Sequence, residues 1–97
     1  MSLLDAMTNW SDRFIKLMSN RMVKGRYRYG DINDPNQPDF DRIQSAIDRL
    51  KMYQETGNAE HLVDASNLEM IEFAVQGHPH WHFEPIDDGY HTAVRGR

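Results

Sequence analysis

The sequence predicts a small all-α domain of three helices followed by an extended C-terminal tail. Apolar residues recur at steps of three and four along three separate segments, which is the spacing of one helix face. Stretches rich in Gly, Pro, Asn and Asp separate these segments, and such stretches break helices. We therefore expect a helical domain over residues 1–77 and a tail over residues 78–97, packed on this domain or on a neighbouring subunit.

Size and charge limit the classes of function. The 97 residues, 39% of them hydrophobic, are enough for one modest core. Eleven Lys and Arg against fifteen Asp and Glu give a net charge of −4, so we expect no non-specific nucleic-acid binding. The chain has no cysteine, which fits a cytoplasmic protein and excludes disulfides and thiolate zinc sites. No stretch approaches the roughly 20 apolar residues that span a bilayer, so we expect no membrane association.

The first predicted helix extends from Leu3 to Val23. Its start resembles a capping box, because Ser2 is followed three residues later by Asp5. Gly25 is the predicted end, and a loop dense in turn-forming residues follows it. The apolar face consists of Leu3, Met7, Trp10, Phe14, Leu17, Met18 and Met22.

The second predicted helix begins near Asp39 and ends before Gly57, and the third extends from about Ala59 to Gln76. Gly57 suits a left-handed C-terminal position, and the Asn58 side chain can accept from the first free amides of the next helix. So short a link predicts an antiparallel pair. The third helix is apolar around most of its circumference, which predicts burial on several sides. The apolar stripe of the second helix consists of Phe40, Ile43, Ile47 and Leu50.

Two carboxylates and an amide share a narrow sector of the third predicted helix, at Glu60, Asp64 and Asn67. A carboxylate beside core residues is costly unless it is paired, hydrogen-bonded or metal-bound. One interpretation is an oxygen-rich site in which Glu60 and Asp64 hold Mg²⁺. A second is an ion pair between Asp64 and an arginine of the second helix that fixes the packing, and a third is plain exposure.

Arginines on the flank of the second predicted helix could meet this stripe. Arg42, Arg49 and Tyr53 lie on that flank, and arginine can hold a carboxylate or a phosphate with two parallel hydrogen bonds. A buried pair of Asp64 with Arg49 would be structural, whereas a cleft that exposes both would be a ligand site. The sequence leaves both interpretations open.

A basic segment follows the end of the first predicted helix, and it reads Lys24-Gly25-Arg26-Tyr27-Arg28-Tyr29-Gly30. Cations at this place complement the negative end of the helix dipole, which is the simpler explanation. The alternative is a phosphate clamp in which Lys24, Arg26 and Arg28 contact phosphate while Tyr27 or Tyr29 stacks on a base.

Three alternating histidines, His78, His80 and His82, would point the same way in an extended strand. Three imidazoles on one face could bind a transition metal. The neighbouring Pro79 and Trp81 also suit an ordinary edge segment.

Two common catalytic motifs are absent from the sequence. The serines lack a Gly-rich elbow and no Gly-Lys-Ser/Thr loop occurs, so serine hydrolases and P-loop NTPases are disfavoured.

Three segments carry a resemblance to a known group: residues 24–30, Ile47-Asp48-Arg49-Leu50, and Glu60-His61-Leu62-Val63-Asp64-Ala65-Ser66-Asn67. Together they resemble small phage-encoded proteins distantly similar to the MazG-like, nucleotide-modification-associated helical group. The resemblance implies a helical, often oligomeric protein that uses acidic side chains to hold Mg²⁺ against a nucleoside triphosphate, which is cleaved to monophosphate and pyrophosphate. It places Glu60 and Asp64 at the acidic motif of the later helix, with three residues between the acids instead of two. On the second helix, Asp41, Gln44 and Asp48 replace the expected glutamates.

The first functional hypothesis is a phage-type protein that binds a phosphorylated nucleotide between the basic segment and the second and third helices. Whether such a protein hydrolyses the ligand as a pyrophosphohydrolase or only sequesters it stays open. The predicted ligand-binding residues are Lys24, Arg26, Arg28, Tyr29, Arg49 and Asn67, with Glu60 and Asp64 as metal ligands.

The alternative hypothesis is an anti-defence protein that blocks a host defence complex, as anti-CRISPR proteins do. It rests on small size, negative charge and a tail that could form a hot spot. A further expectation is a homo-oligomer, because a lone three-helix core of this size is marginal. The tail residues concerned are Trp81, Phe83, Asp87, Asp88 and Tyr90.

Overall fold

The computed structural model describes residues 2–86, and all regular structure in this part of the chain is α-helical. The all-α class is therefore confirmed. The helices are α1 (Leu3–Met7), α2 (Asp12–Tyr29), α3 (Arg42–Thr56) and α4 (Glu60–Val75). Residues 78–86 of the predicted tail contain no helix, and residues 87–97 of the predicted tail lie outside the described residues.

The first predicted helix is in fact two helices, α1 and α2. The predicted capping box is present, since Ser2 Oγ accepts from the Asp5 backbone N–H at 3.1 Å and Asp5 accepts in return. The break follows Thr8, whose hydroxyl donates to the Leu4 carbonyl and accepts from the Trp10 N–H. Such side-chain bonds offer the backbone an alternative to the helical ladder. The apolar residues keep their three- and four-residue steps across the break, so the sequence pattern gives no sign of it.

Polar contacts join α1 to the first turn of α2. Asp5 accepts from the Asp12 backbone N–H at 2.9 Å, and Asp12 accepts from the Trp10 indole at 2.9 Å. Hydrogen bonding, first from the Ser2 side chain and then from Trp10, lowers the pKa of Asp12 below its ordinary value. Ser11 caps α2 by accepting from the Phe14 N–H. These local bonds set the angle at which α1 leaves α2.

Helix α2 continues through Gly25, so the predicted end at Gly25 is wrong. A glycine inside a helix costs about 1 kcal/mol relative to alanine but does not by itself end the helix. The end is at Gly30, which has a φ of 85° and whose N–H donates to the Arg26 carbonyl at 2.9 Å. The basic segment therefore forms the last turns of α2 instead of a loop after it. Lys24 and Arg28, four residues apart, lie on one helix face, and Arg26 lies on another.

The loop over residues 31–41 is held by short polar contacts. Gln37 Nε2 donates to the Tyr29 carbonyl at 2.6 Å. Asp31 pairs with Arg26 at 3.2 Å, and Asp31 and Asp34 each accept from the backbone N–H two residues later in the chain. The loop is thus a fixed wall beside the end of α2.

Helices α3 and α4 pack along each other, and α2 packs on α4. Asp41 caps α3 by accepting from the Gln44 N–H at 3.0 Å. Gly57 adopts the expected left-handed conformation with a φ of 72°, and Asn58 accepts from the Glu60 N–H at 3.1 Å. The predicted roles of both residues in the short link are confirmed.

The core of the described chain is small. Its buried hydrophobic residues are Ala46, Val63 and Ala65. The predicted apolar stripe of the second helix is largely uncovered, with Phe40, Ile43, Ile47 and Leu50 each 41–47% exposed. Helix α4 is enclosed over residues 61–68 but not at Met70 or Phe73. Much apolar surface therefore remains open in the single chain.

The aromatic residues after α4 behave differently from one another. Trp81 packs edge-on against Phe73, with ring centroids 5.5 Å apart. Phe83 is 73% exposed, so of the two predicted aromatic contacts with the helices only that of Trp81 is present. Within residues 2–86, none of the helices has both the length and the apolar character needed to cross a bilayer.

Candidate functional site

Two adjoining cavities lie between the C-terminal half of α2 and helices α3 and α4. The smaller, of about 220 Å³, is here called the cationic cavity, and the larger, of about 670 Å³, the apolar cavity. Both have Tyr29 and Arg49 in their walls, together with apolar residues of α2 and α4. The residues common to both are Met22, Gly25, Tyr29, Arg49, Leu68 and Ile71.

The cationic cavity concentrates positive charge in a chain whose net charge is −4. Its walls contain four cationic side chains, Arg21, Lys24, Arg28 and Arg49, but only one carboxylate, that of Asp64. Three of the cations come from α2 at spacings that place them on neighbouring parts of one helix surface. A cleft lined mainly by one sign of charge focuses the field and favours an anionic ligand.

Most of the predicted site residues meet in this cavity. Arg26 lines the apolar cavity instead, and Glu60 lines neither. Tyr27 is 95% exposed on the outside of α2, so of the two tyrosines only Tyr29 can face a ligand in the cleft. The predicted residues that line the cationic cavity are Lys24, Arg28, Tyr29, Arg49, Asp64 and Asn67.

The ion-pair partner of Asp64 is Arg21 of α2, not Arg49 as one interpretation of the sequence had it. Arg21 Nε lies 3.3 Å from Asp64 Oδ1, and Arg21 Nη2 lies 3.3 Å from Glu60 Oε1. The Asp64 side chain is only 17% exposed, so its charge needs this partner. Arg49 consequently keeps its charge free of a carboxylate among the described residues and stands in both cavities.

Asn67 ties α2 to α4. Its Nδ2 donates to the Met18 carbonyl at 3.0 Å, and the residue is 7% exposed. The Oδ1 atom is buried and has no hydrogen-bond partner within residues 2–86. Asn67 thus has a structural contact through its amide group, and any contact with a ligand would fall to Oδ1.

A Mg²⁺ ion at the predicted metal ligands would have to displace Arg21, because Glu60 and Asp64 already share its guanidinium. Within residues 2–86 there is no group of three or more His, Asp or Glu side chains that could hold a metal. Mg²⁺ often needs only one or two protein carboxylates when substrate phosphates supply further oxygens. The pair therefore fits the ion only together with such a ligand and a moved Arg21.

The three alternating histidines do not form one converging group within residues 2–86, although the rings of His78 and His80 lie 5.8 Å apart. The His80 backbone N–H donates to His78 Nδ1 at 3.0 Å, and His82 Nδ1 lies 3.0 Å from the His80 carbonyl. Trp81 N–H donates to the His78 carbonyl, which closes a turn instead of an extended strand. The turn removes the alternation on which the predicted metal face depended.

Sequence reasoning missed three contributors to the cleft. Arg21 lies between Met18 and Met22 on the predicted apolar side of α2, where the spacing predicts core contacts and no ligand contact. Ile32 and Phe40 line the apolar cavity from the loop side. One signal for Arg21 existed, since two acids four residues apart on a helix face can share one cation.

Comparison of the chain with protein-family models, with curated proteins and with solved structures gives no match. The cleft must therefore be interpreted from its own chemistry. Its charge, its arginine donors and its aromatic wall are suited to holding an anion that carries a ring.

Proposed function

We propose that this protein binds a phosphorylated nucleotide in the cleft, with the phosphates in the cationic cavity. One observation carries the proposal: four cationic side chains and one carboxylate line a single small cavity in a protein of net charge −4. That carboxylate is already paired with Arg21. The surplus charge is therefore available to an anion with several negative charges, such as a di- or triphosphate.

Arg49 is the central phosphate contact in this proposal. It is half-buried, it lines both cavities, and its Nη1 atom makes a weak contact at 3.8 Å with the Met52 sulfur. A guanidinium without a carboxylate partner can offer two parallel donors to a phosphate. Lys24 and Arg28 on the opposite wall would complete the charge around the ligand.

The proposal is limited to binding. Hydrolysis of a nucleoside triphosphate would need a metal and an activated water, and the acidic pair of Glu60 and Asp64 would have to release Arg21 to take part. Mg²⁺ at this pair, delivered with the phosphates, is a further proposal. A nucleotide ligand fits the cytoplasmic location, in the host cell for a phage-encoded chain, that the sequence predicts.

The direct test is thermal melting of the full chain against nucleoside mono-, di- and triphosphates and cyclic dinucleotides, each with and without Mg²⁺. A ligand that binds only the folded state adds about 2.7 kcal/mol of stability at 100 times its dissociation constant. We expect a clear rise in melting temperature with at least one class, and a binding constant that falls as salt is added. No rise with any member of the panel would remove the proposal.

The same experiment, run at several protein concentrations, tests self-association. We propose that a second copy covers the open stripe of α3, because the single chain leaves Ile43, Ile47 and Leu50 more than 40% exposed. Association through this stripe would make the melting temperature rise with protein concentration. A melting temperature independent of concentration would contradict it.

A second candidate function is capture of a host defence protein by the segment after α4. The supporting observation is that Phe83 and Ile86 are 73% and 78% exposed, while Trp81 anchors the segment on Phe73. The predicted hot-spot residues Asp87, Asp88 and Tyr90 lie outside the described residues. If this function is correct, replacing Phe83 and Ile86 together by Ser abolishes capture of a defence complex in a pull-down, whereas the nucleotide-induced rise in melting temperature is unaffected. Retained capture would argue against it.

A further inference from the structure

The two cavities differ in chemistry although they adjoin. The cationic cavity has a small volume and four cations, whereas the apolar cavity is about three times larger. The larger one alone is lined by Ile32 and Phe40, together with Gly30 and the polar residues Arg26, Asp31, Gln37, Arg42 and Ser45. Arg26 is paired with Asp31, and the Arg42 guanidinium lies over the Phe40 ring. Phosphates account for the cations of the first cavity but not for the apolar walls of the second, since an inorganic anion gains nothing from apolar walls.

The loop that forms one wall of the apolar cavity is held in place by contacts at several points. Gln37 Nε2 is bonded to the Tyr29 carbonyl, and the Arg26–Asp31 ion pair closes the same end. At the other end of the loop, the Arg42 guanidinium lies 5.9 Å from the centroid of the Phe40 ring. The loop thus holds its apolar side chains beside an open volume instead of collapsing into it.

The size and lining of this volume indicate the kind of occupant. Ile32 and Phe40 are 36% and 47% exposed, so their apolar surface is still available for burial. A cavity of this volume falls in the range of small-molecule sites, which are mostly apolar with a few polar groups that fix orientation. The shared walls at Tyr29 and Arg49 allow one ligand to reach from one cavity into the other.

We propose that the apolar cavity is a ring subsite, in which Phe40 contacts the uncharged aromatic ring of the ligand whose phosphates lie in the cationic cavity. This inference rests on the proposed function and adds to it the residues that distinguish a nucleotide from a plain polyphosphate. Arg49, at the junction, contacts the ligand between its two parts. Ile32 contacts the ring from the loop side and limits its size.

The test compares two probes by titration calorimetry, inorganic triphosphate and a purine nucleoside triphosphate. We expect the nucleotide to bind about tenfold more tightly than inorganic triphosphate, which is the order of one stacking contact. Phe40→Ala should abolish this margin and leave the affinity for inorganic triphosphate unchanged. Ile32→Trp, which fills the cavity, should also abolish the margin by a different route. Tyr27→Ala is the matched control, because Tyr27 is an exposed aromatic outside both cavities.

The outcomes separate the ring subsite from the phosphate site. Equal affinity of the two probes, or a margin that survives both Phe40→Ala and Ile32→Trp, overturns the ring subsite while the phosphate site stands. A third outcome is that the unphosphorylated nucleoside binds to the wild type but not to Phe40→Ala, while inorganic triphosphate does not bind at all. This outcome supports the ring subsite and overturns the proposed phosphate site. Failure of every probe to bind overturns both. Circular dichroism of each variant verifies that the helices are intact.

Discussion

Arg49→Glu is expected to weaken binding of a nucleoside triphosphate about 100-fold, which corresponds to about 2.7 kcal/mol. The substitution removes a guanidinium that stands in both cavities without a carboxylate partner among the described residues. It also places a negative charge beside the phosphates, where repulsion adds to the lost charge-assisted hydrogen bonds. Titration calorimetry of the wild type and the variant, at one fixed salt concentration, measures the difference.

Lys51→Glu is the matched control for this change. Lys51 lies two residues further along α3, is exposed, and lines neither cavity. Both variants change the net charge by the same amount, so a general field effect would weaken binding equally in the two. We expect less than a threefold effect from Lys51→Glu, because exposed charges at that distance are screened by salt. Similar losses in both variants would show that Arg49 has no specific contact with the ligand.

The link between α3 and α4 shows which parts of the fold were predictable. Gly57 and Asn58 act through bonds to residues within four positions, so their conformations follow from local chemistry that one sequence contains. The end of α2 was harder, because Gly25 and Gly30 are both plausible helix ends. What favours Gly30 is its bonded environment, including the contact of Gln37 with the Tyr29 carbonyl across eight residues. Propensity alone does not contain that contact.

Burial was the least predictable property of the fold. The spacing of Ile43, Ile47 and Leu50 correctly indicates a helix, but it also suggests a face turned to the core of the same chain. In the structure these side chains are 41–47% exposed, and Arg42, Ala46, Arg49 and Tyr53 line the more covered side of α3. The spacing of apolar residues shows that one face of a helix is apolar. It does not show whether another part of the same chain covers that face.

The sequence predicted most of the residues that line the candidate site, but it did not predict the ion-pair partner of Asp64. Lys24, Arg28 and Tyr29 of the basic segment do meet Arg49, Asp64 and Asn67, because α2 and α3 both approach α4. The partner of Asp64, however, is 43 residues away in sequence and lies on another helix. One sequence gives the set of charged residues on each helix face, but the rotation of α2 against α4 decides which of them touch.

Arg21→Ala is expected to lower the free energy of unfolding by about 1–2 kcal/mol, less than for a fully buried pair because Arg21 is partly exposed. The variant leaves Asp64, whose side chain is 17% exposed, without its counter-ion, and it frees Glu60 at the same time. Urea unfolding of the wild type, Arg21→Ala, Asp64→Ala and the double variant gives the coupling energy between the two residues. Lys16→Ala, which removes an exposed cation from the same helix, should cost less than about 0.5 kcal/mol.

Mg²⁺ gives the same variants a second readout that bears on the acidic pair. If Glu60 and Asp64 can hold the ion once Arg21 is gone, millimolar Mg²⁺ should raise the melting temperature of Arg21→Ala and not that of Arg21→Ala/Asp64→Ala. In the wild type the guanidinium occupies both carboxylates, so Mg²⁺ alone should have little effect until a phosphate ligand draws Arg21 away. A rise in the wild type without any nucleotide would show that the ion displaces Arg21 unaided. If Mg²⁺ does not raise the melting temperature of Arg21→Ala, Glu60 and Asp64 do not bind the ion, and their contact with Arg21 only holds α2 and α4 together.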